Sequence, residues 1–463
     1  MTRRFLPLLL VPLSLVFKIA AQDTRTVVEP FFPQLCTTVD AQLQTAGNTL
    51  TPEDETKLDT ARIQKAINHC GKGRAVMLRV DKENNAFLSG PLQLRPEITL
   101  IVGRGVTLFA SRNPADFSVS AGSCGVVSQA PLASGCKPLI SVDHAPGAAV
   151  MGDGVIDGRG GEKMIGSQSS WWDLAAQALS GGNQQVPRLI VADSSDNFTL
   201  YRITLKNSPN FHVVFDHGDG FTVWGVRIDT PQRQARNTDG IDPSSGAKNI
   251  TITHSYIRAG DDNVAIKGGA GSGVGGGAGV SNVTISHNHF YWGHGMSIGS
   301  ETDGGVSRIR VTDLSLDGPD NGIRIKSNGS RGGLIQNVIY DDVCIRNSAN
   351  PITLDAAYTA AGTLQGSLPP TMREITLRNV RISGGGKITF NGYDSTHRIA
   401  AALDGVQITD SAHYGYELNH SDISLGPTPT NLHLPTGEDS TIKGAPAEGD
   451  PSGCADKFVP FPQ

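Results

Sequence analysis

From the eighties to about residue 410 the chain alternates short apolar, β-branched runs with polar breaks of Asn, Asp and Gly. The runs Asn197-Phe-Thr-Leu, Phe221-Thr-Val-Trp, Asn249-Ile-Thr-Ile, Asn282-Val-Thr-Ile, Ile309-Arg-Val, Val338-Ile-Tyr and Ile375-Thr-Leu resemble one another. Most begin about 24 to 33 residues after the one before, with a wider gap before the last. No amphipathic helical pattern separates them, so each run reads as a strand. A period of this length is one coil of a solenoid, whose units bury their apolar faces only by stacking on their neighbours. The pattern predicts an all-β chain folded as a parallel β-helix. The 55 glycines and 6% aromatic content suit it, because each coil turns sharp corners where Gly or Asn adopts positive φ most easily. Asn at the strand starts also allows side chains to stack between coils.

Outside the repeats the pattern changes. Leu58, Ile63, Ala66 and Ile67 recur at near-helical spacing, which predicts a helix over Thr56–Cys70 plugging the N-terminal end of the solenoid. The tail from about Asn419, rich in Pro, Gly and Ser, predicts an irregular strap. Gly268–Gly279 is almost all Gly, Ala and Ser and reads as a mobile insertion between coils; a strand follows it, where a phosphate cradle needs a helix. Arg3 and Arg4 precede the apolar run Phe5 to Phe17, and the small residues Ala20 and Ala21 follow. That is the layout of a signal peptide over residues 1–21, and the run is shorter than the roughly 20 residues a membrane-spanning helix needs. Residues 22–463 are then expected to be one exported domain, although length alone suggests about three domains.

The six cysteines, Cys36, Cys70, Cys124, Cys136, Cys344 and Cys454, lack the CxxC spacing of zinc or redox sites. In an exported chain they predict disulfides. Cys36 with Cys70 and Cys124 with Cys136 are the favoured pairs, each closing a local loop, whereas Cys344 suits a buried thiol as well as a bridge to Cys454. The formal charge is −5, and three units more negative once Arg3, Arg4 and Lys18 leave with the signal. An acidic protein is a poor general binder of polyanions, which argues against nucleic acid as partner. A polyanionic substrate would need a local basic patch.

A second series of short strands follows the first at a constant offset: Asp239-Gly-Ile-Asp, Asp262-Asn-Val-Ala-Ile-Lys, Gly295-Met-Ser-Ile-Gly-Ser, Gly322-Ile-Arg-Ile-Lys-Ser and Pro351-Ile-Thr-Leu-Asp. Equal offsets stack about 4.8 Å apart in neighbouring coils. Asn237, Asp239, Asp261, Asp262, His294, Arg324 and Lys326 are thereby expected on one face. Three neighbouring carboxylates repel, which tends to raise at least one pKa and to keep one acid protonated. Cleavage of a glycosidic bond needs that combination of a proton donor and ionised partners that activate water. Arg324 and Lys326, two apart on a strand, share a face and supply the basic patch, with a sugar carboxylate as their natural target.

Asn237-Thr-Asp-Gly, Gly260-Asp-Asp, Gly293-His-Gly and Arg324-Ile-Lys, in this order and at these separations, resemble the four signature motifs of the polygalacturonases of glycoside hydrolase family 28. Asn207-Ser-Pro-Asn-Phe-His, Ser170-Trp-Trp and the N-terminal cysteines extend the likeness to the bacterial endo-polygalacturonases of plant pathogens. The resemblance implies a right-handed parallel β-helix that hydrolyses the α-1,4 bonds of de-esterified pectin with inversion. It implies Asp261 as general acid, Asp239 and Asp262 as activators of water, and His294 as the histidine that sustains their ionisation. Asn237, Arg324, Lys326 and Tyr358 are implied as substrate-binding residues. No metal or cofactor is expected, and the expected state is a secreted monomer. Two features depart from the pattern. Asn263 and Trp292 stand near the places where many fungal and plant members carry a bridged cysteine pair. Asp261 and Asp262, being adjacent, would face opposite ways in a regular strand, so the chain must bend there, as Gly260 permits. The rivals are an exo-acting polygalacturonase, a calcium-dependent pectate lyase, a rhamnogalacturonan hydrolase, whose members lack the Asn-Thr-Asp and His-Gly signatures, and a non-catalytic β-helix adhesin or polysaccharide binder.

Overall fold

The computed structural model describes residues 22–269, 278–359 and 366–463. The expected signal peptide and most of the Gly-rich insertion lie outside these residues.

Among the described residues the strands form sheets of 21, 11 and 2 members. The two large sheets are parallel throughout their registers, and their strands wind into a right-handed parallel β-helix. The repeats seen in the sequence stack rung on rung: Phe198, Phe221, Ile250, Val283, Ile309, Val338 and Ile375 are successive register partners. All seven are buried and line the continuous core. Apolar side chains on alternate positions point inward and stack on the equivalent residue of the next coil, as with Phe198 on Phe221 at 5.5 Å.

One corner explains the recurrent Asn. Gly220, Asn249, Asn282, Arg308, Asn337 and Glu374 each stand within a strand just before the stacked core residue, and all have positive φ, between 54° and 98°. The left-handed conformation is cheapest for Gly and then Asn. Neighbouring side chains bridge the coils, Asn282 Nδ2 donating to Asn249 Oδ1 at 3.1 Å and Asn249 Nδ2 to Asp219 Oδ1 at 2.6 Å.

Helix α1 spans Thr60–His69, four residues later than the sequence suggests, because Pro52–Thr56 forms a 3-10 turn first. Ile63 and Ile67 enter the main core, while Leu58, expected on the apolar face, is 42% exposed. The solenoid also begins earlier and ends later than the repeats imply. Leu35–Asp40 already pairs with Arg74–Arg79. In the tail expected to be irregular, Ser421–Leu425 and Thr441–Lys443 still add parallel rungs. Disulfides join Cys36 to Cys70, Cys124 to Cys136 and Cys344 to Cys454. The last ties the C-terminal segment to the helix wall, where Lys457 reaches Asp313 and Arg346 lies over Phe458. The N-terminal segment straps several coils: Asp23, Arg25 and Glu29 bond Thr284, the Phe221 carbonyl and Tyr201.

Candidate active site

The eleven-stranded sheet carries the second series of strands. Ile241, Val264, Met296, Ile323 and Ile352 are register partners on consecutive rungs and point into the core. The residues between them point outward, so that Ala265, Ser297, Arg324 and Thr353 form one column. Lys267, Gly299 and Lys326 follow two residues further along. Gly299 is needed where it stands, since a Cβ there would lie 2.0 Å from the Lys326 carbonyl oxygen. The small residues between the cations leave a groove floor.

Above this floor lies a cavity of about 640 Å³ lined by Asn237, Asp239, Asp261, Asp262, His294, Arg324, Lys326 and Tyr358. All eight residues singled out in the sequence are therefore gathered at one place. Further lining comes from Ala175 of the helix Trp171–Gln177, from Ala178 and Leu179 after it, and from Asn183 and Gln184 of the strand that pairs antiparallel with Val126–Ser128. The helix starts on a Ser170–Asp173 capping box.

Asp261 and Asp262 sit in the turn before the strand Val264–Ile266, which lets adjacent side chains serve one cleft. The backbone N–H of Asp262 donates to Asp261 Oδ1 at 2.9 Å. Gly260 permits this turn by close approach and has no need of special dihedrals: a Cβ would meet the Ala235 carbonyl oxygen at 2.1 Å. Asn237 adopts φ 56° at the corresponding corner one coil earlier. His212 is fully buried and bonds the Asp239 carbonyl through Nδ1 at 2.9 Å and Thr230 through Nε2 at 2.8 Å. Burial pulls its pKa down to about 4, so this imidazole is neutral and fixes the Asp239 backbone.

The three carboxylates have different surroundings. Asp261 is the most accessible, its side chain 23% exposed against 5% for Asp239 and 2% for Asp262. Asp262 accepts from Ser297 Oγ at 2.6 Å, Lys326 Nζ at 2.8 Å and Arg324 at 3.3 Å. The two cations expected to wait for a sugar carboxylate thus already hold Asp262. Burial works against its charge, but Lys326 and Arg324 outweigh it and keep its pKa below the usual carboxylate range. Tyr358 flanks both cations, its ring 5.4 Å from the Arg324 guanidinium and 5.5 Å from Lys326 Nζ. Asp261 Oδ1 lies 3.0 Å from His294 Nδ1, and His294 Nε2 lies 3.6 Å from Asp320.

Protonation at rest runs against the roles implied by the resemblance. Burial again opposes the charge on Asp261, yet the hydrogen bond and charge of His294 win and set its pKa well below the ordinary value. His294 in turn is raised despite its burial, by the same bond. Burial raises Asp239 well above the ordinary value, with Lys267 opposing and the neighbouring carboxylates adding to it. In the free site the proton of the Asp261–His294 pair therefore rests on the imidazole.

Lys267 and Asp242 belong to the site and were missed. Lys267 Nζ donates to Asp239 at 2.8 Å and to Asp242 at 2.6 Å. Their signal was present: Val264-Ala-Ile-Lys and Ile323-Arg-Ile-Lys have the same spacing, so Lys267 falls in the column of Lys326.

Comparison with known proteins agrees with this geometry. The family model described as glycosyl hydrolases family 28 matches residues 70–421. An endo-polygalacturonase of Pectobacterium carotovorum subsp. carotovorum is 43% identical over 85% of this chain and 91% of its own. A polygalacturonase of Ralstonia nicotianae is 36% identical over 94% and 92%. Among solved structures, the polygalacturonase from Erwinia carotovora ssp. carotovora superposes with a TM-score of 0.78 at 41% identity, covering 87% of this chain and 99% of that one. With its signature residues assembled in one cleft of a parallel β-helix, this chain belongs to glycosyl hydrolase family 28.

Proposed function

We propose that the protein is an exported polygalacturonase that cleaves α-1,4-galacturonosyl bonds inside de-esterified pectin, with inversion at the anomeric carbon. The observation that carries this reading is the meeting of Asp239, Asp261 and Asp262 with Arg324 and Lys326 in one cavity. In the reaction Asp261 donates a proton to the glycosidic oxygen as its bond to C1 breaks. A water opposite attacks C1 and gives its proton to the carboxylate pair Asp239 and Asp262. Asp261 suits the donor's part because it is the carboxyl most open to the cleft and shares a proton with His294. A bound sugar that excludes water and brings a second negative charge favours transfer of that proton from imidazole to Asp261. Arg324 and Lys326 take the sugar carboxylate, with Tyr358 beside them, while continuing to hold Asp262, and Asn237 lines the same cavity.

Endo action is supported by the Pectobacterium relative, which carries that name. The three disulfides suit an oxidising compartment. We read residues 22–463 as one catalytic domain and the protein as a monomer, with residues 1–21 as its export signal.

A calcium-dependent lyase is the second reading, since Asp261, Asp262 and His294 bring ligand atoms within 4.8 Å of one another. The donor set fits a cation poorly: Lys326 and Arg324 already donate into Asp262, and His294 offers a hard cation only nitrogen. Assays of reducing ends and viscosity on polygalacturonate, with and without chelator, test the choice. Hydrolysis gives chelator-independent reducing ends, no product absorbing in the ultraviolet and an early viscosity drop. Unsaturated product lost on chelation would replace it with the lyase, and monomer alone from the outset would replace endo with exo action.

A further inference from the structure

Lys267, Asp239 and Asp242 form a buried chain of alternating charge beneath the cleft. Lys267 Nζ bridges the two carboxylates at 2.8 and 2.6 Å, and the side chains are 14%, 5% and 1% exposed. The ammonium also sits 3.9 Å from the centroid of the Phe211 ring, so aromatic face closes a further side of it. Three Asp239 bonds, from the His212 backbone N–H and the His212 ring to its carbonyl and from Lys267 to Oδ2, pin the residue without using Oδ1. Asp242 Oδ1 is buried with no hydrogen-bond partner among the described residues.

From this arrangement we infer that Lys267 is a positioning residue for the hydrolysis proposed above: it aims Asp239 at the attacking water and favours its charged form against burial, while Asp242 competes for the same ammonium. The inference rests on that functional reading. Its physical content is a count of charges. Two buried carboxylates are bonded to one ammonium, and Arg188, which also faces both, bonds neither, so their charges are incompletely balanced and burial favours a proton on the pair. Burial lifts Asp242 to about 6 and Asp239 well above its ordinary value, with Lys267 opposing both. Lys267 itself is raised well above the usual lysine range, since Asp239 and Asp242 outweigh its own burial. The other charged groups facing the trio are Asp261 toward Asp239, Asp262 and Arg188 toward both carboxylates, and Asp216 and Glu301 toward Lys267. None of them is bonded to Lys267.

The two partners therefore act on Asp239 with opposite signs. Removing the ammonium raises the Asp239 pKa, so the base loses its charge at higher pH and the acidic limb of the rate profile moves up. Removing the Asp242 charge gives Asp239 sole use of Lys267, and the acidic limb moves down. The experiment compares kcat and KM on polygalacturonate across the acid and neutral range for the parent protein, Lys267→Met, Lys267→Arg and Asp242→Asn, with circular dichroism to check folding. Expected are a fall in kcat on the order of 10²-fold for Lys267→Met, little change in KM, partial recovery in Lys267→Arg, and limb shifts in opposite directions for Lys267→Met and Asp242→Asn. A merely structural role for Lys267 leaves the limbs in place, and shifts in one common direction, or of the alkaline limb alone, likewise overturn the inference. If Lys267→Met does not fold, the downward shift in Asp242→Asn decides by itself. Absence of turnover by the parent protein sinks the hydrolase reading instead, so the two failures are told apart.

Discussion

A carboxylate in this cleft gets its role from its neighbours. Asp261 faces the cavity and shares a proton with His294, whereas Asp262 is closed in by Ser297, Arg324 and Lys326. Asp261→Asn is therefore expected to lower kcat by at least on the order of 10²-fold with an unchanged thermal midpoint; activity above a few per cent of the parent removes Asp261 from the donor's part. Lys326→Ala tests the double duty of the cation. With Lys326 gone, the depressed Asp262 pKa rises, so the base is lost at higher pH: kcat should fall along with a rise in KM, and the acidic limb should shift upward. A change in KM alone would mean that Lys326 serves the substrate and nothing else. The sequence made these residues visible because they recur at one offset from strand to strand. It did not show where the proton rests, because pKa depends on burial and on which nitrogen meets which oxygen. It also hid that Arg324 and Lys326 bond Asp262, a contact across coils that no motif encodes.

At the level of strands and turns, the legible part was whatever repeats. The period of the β-branched runs and the Asn at the left-handed corner gave the stacked rungs and their register, since both are demanded once per coil. Features that occur once were harder to place. The extra strands Leu35–Asp40 and Thr441–Lys443 carry no repeat signal, and the N-terminal helix begins later because Pro52–Thr56 turns first. The turn holding Asp261 and Asp262 is another single feature, and it depends on Gly260 lying against the Ala235 carbonyl. Gly260→Ala should push the turn away from the neighbouring coil and cost roughly tenfold or more in kcat, in keeping with the loss expected from misplacing catalytic groups by about 1 Å. Parent-like kcat in a folded Gly260→Ala protein would contradict the close-packing account of this turn.

Across the whole molecule, the cleft and the C-terminal staple are kept apart, whereas the Cys124–Cys136 bond closes the loop whose Leu132 lines the cavity. The cavity is built by the eleven-stranded sheet and the loops beside it, and among the described residues none of the C-terminal segment lines it. That segment is held by the Cys344–Cys454 bond, by Lys457 on Asp313 and by the Tyr291 hydroxyl donating to the Val459 carbonyl at 2.9 Å. Replacing both cysteines by alanine should reduce stability by about 2–4 kcal/mol in denaturant melts while leaving kcat unaltered; a parallel loss of kcat in the folded protein would mean that the strap shapes the cleft. The central claim is that stacked coils bring three aspartates to one sugar for a single inverting displacement by water. Proton NMR of the reducing end released from polygalacturonate, recorded before the anomers equilibrate, tests it most directly. The account predicts β-anomer first, absent from Asp261→Asn, whereas α-anomer first or a 4,5-unsaturated product would contradict it.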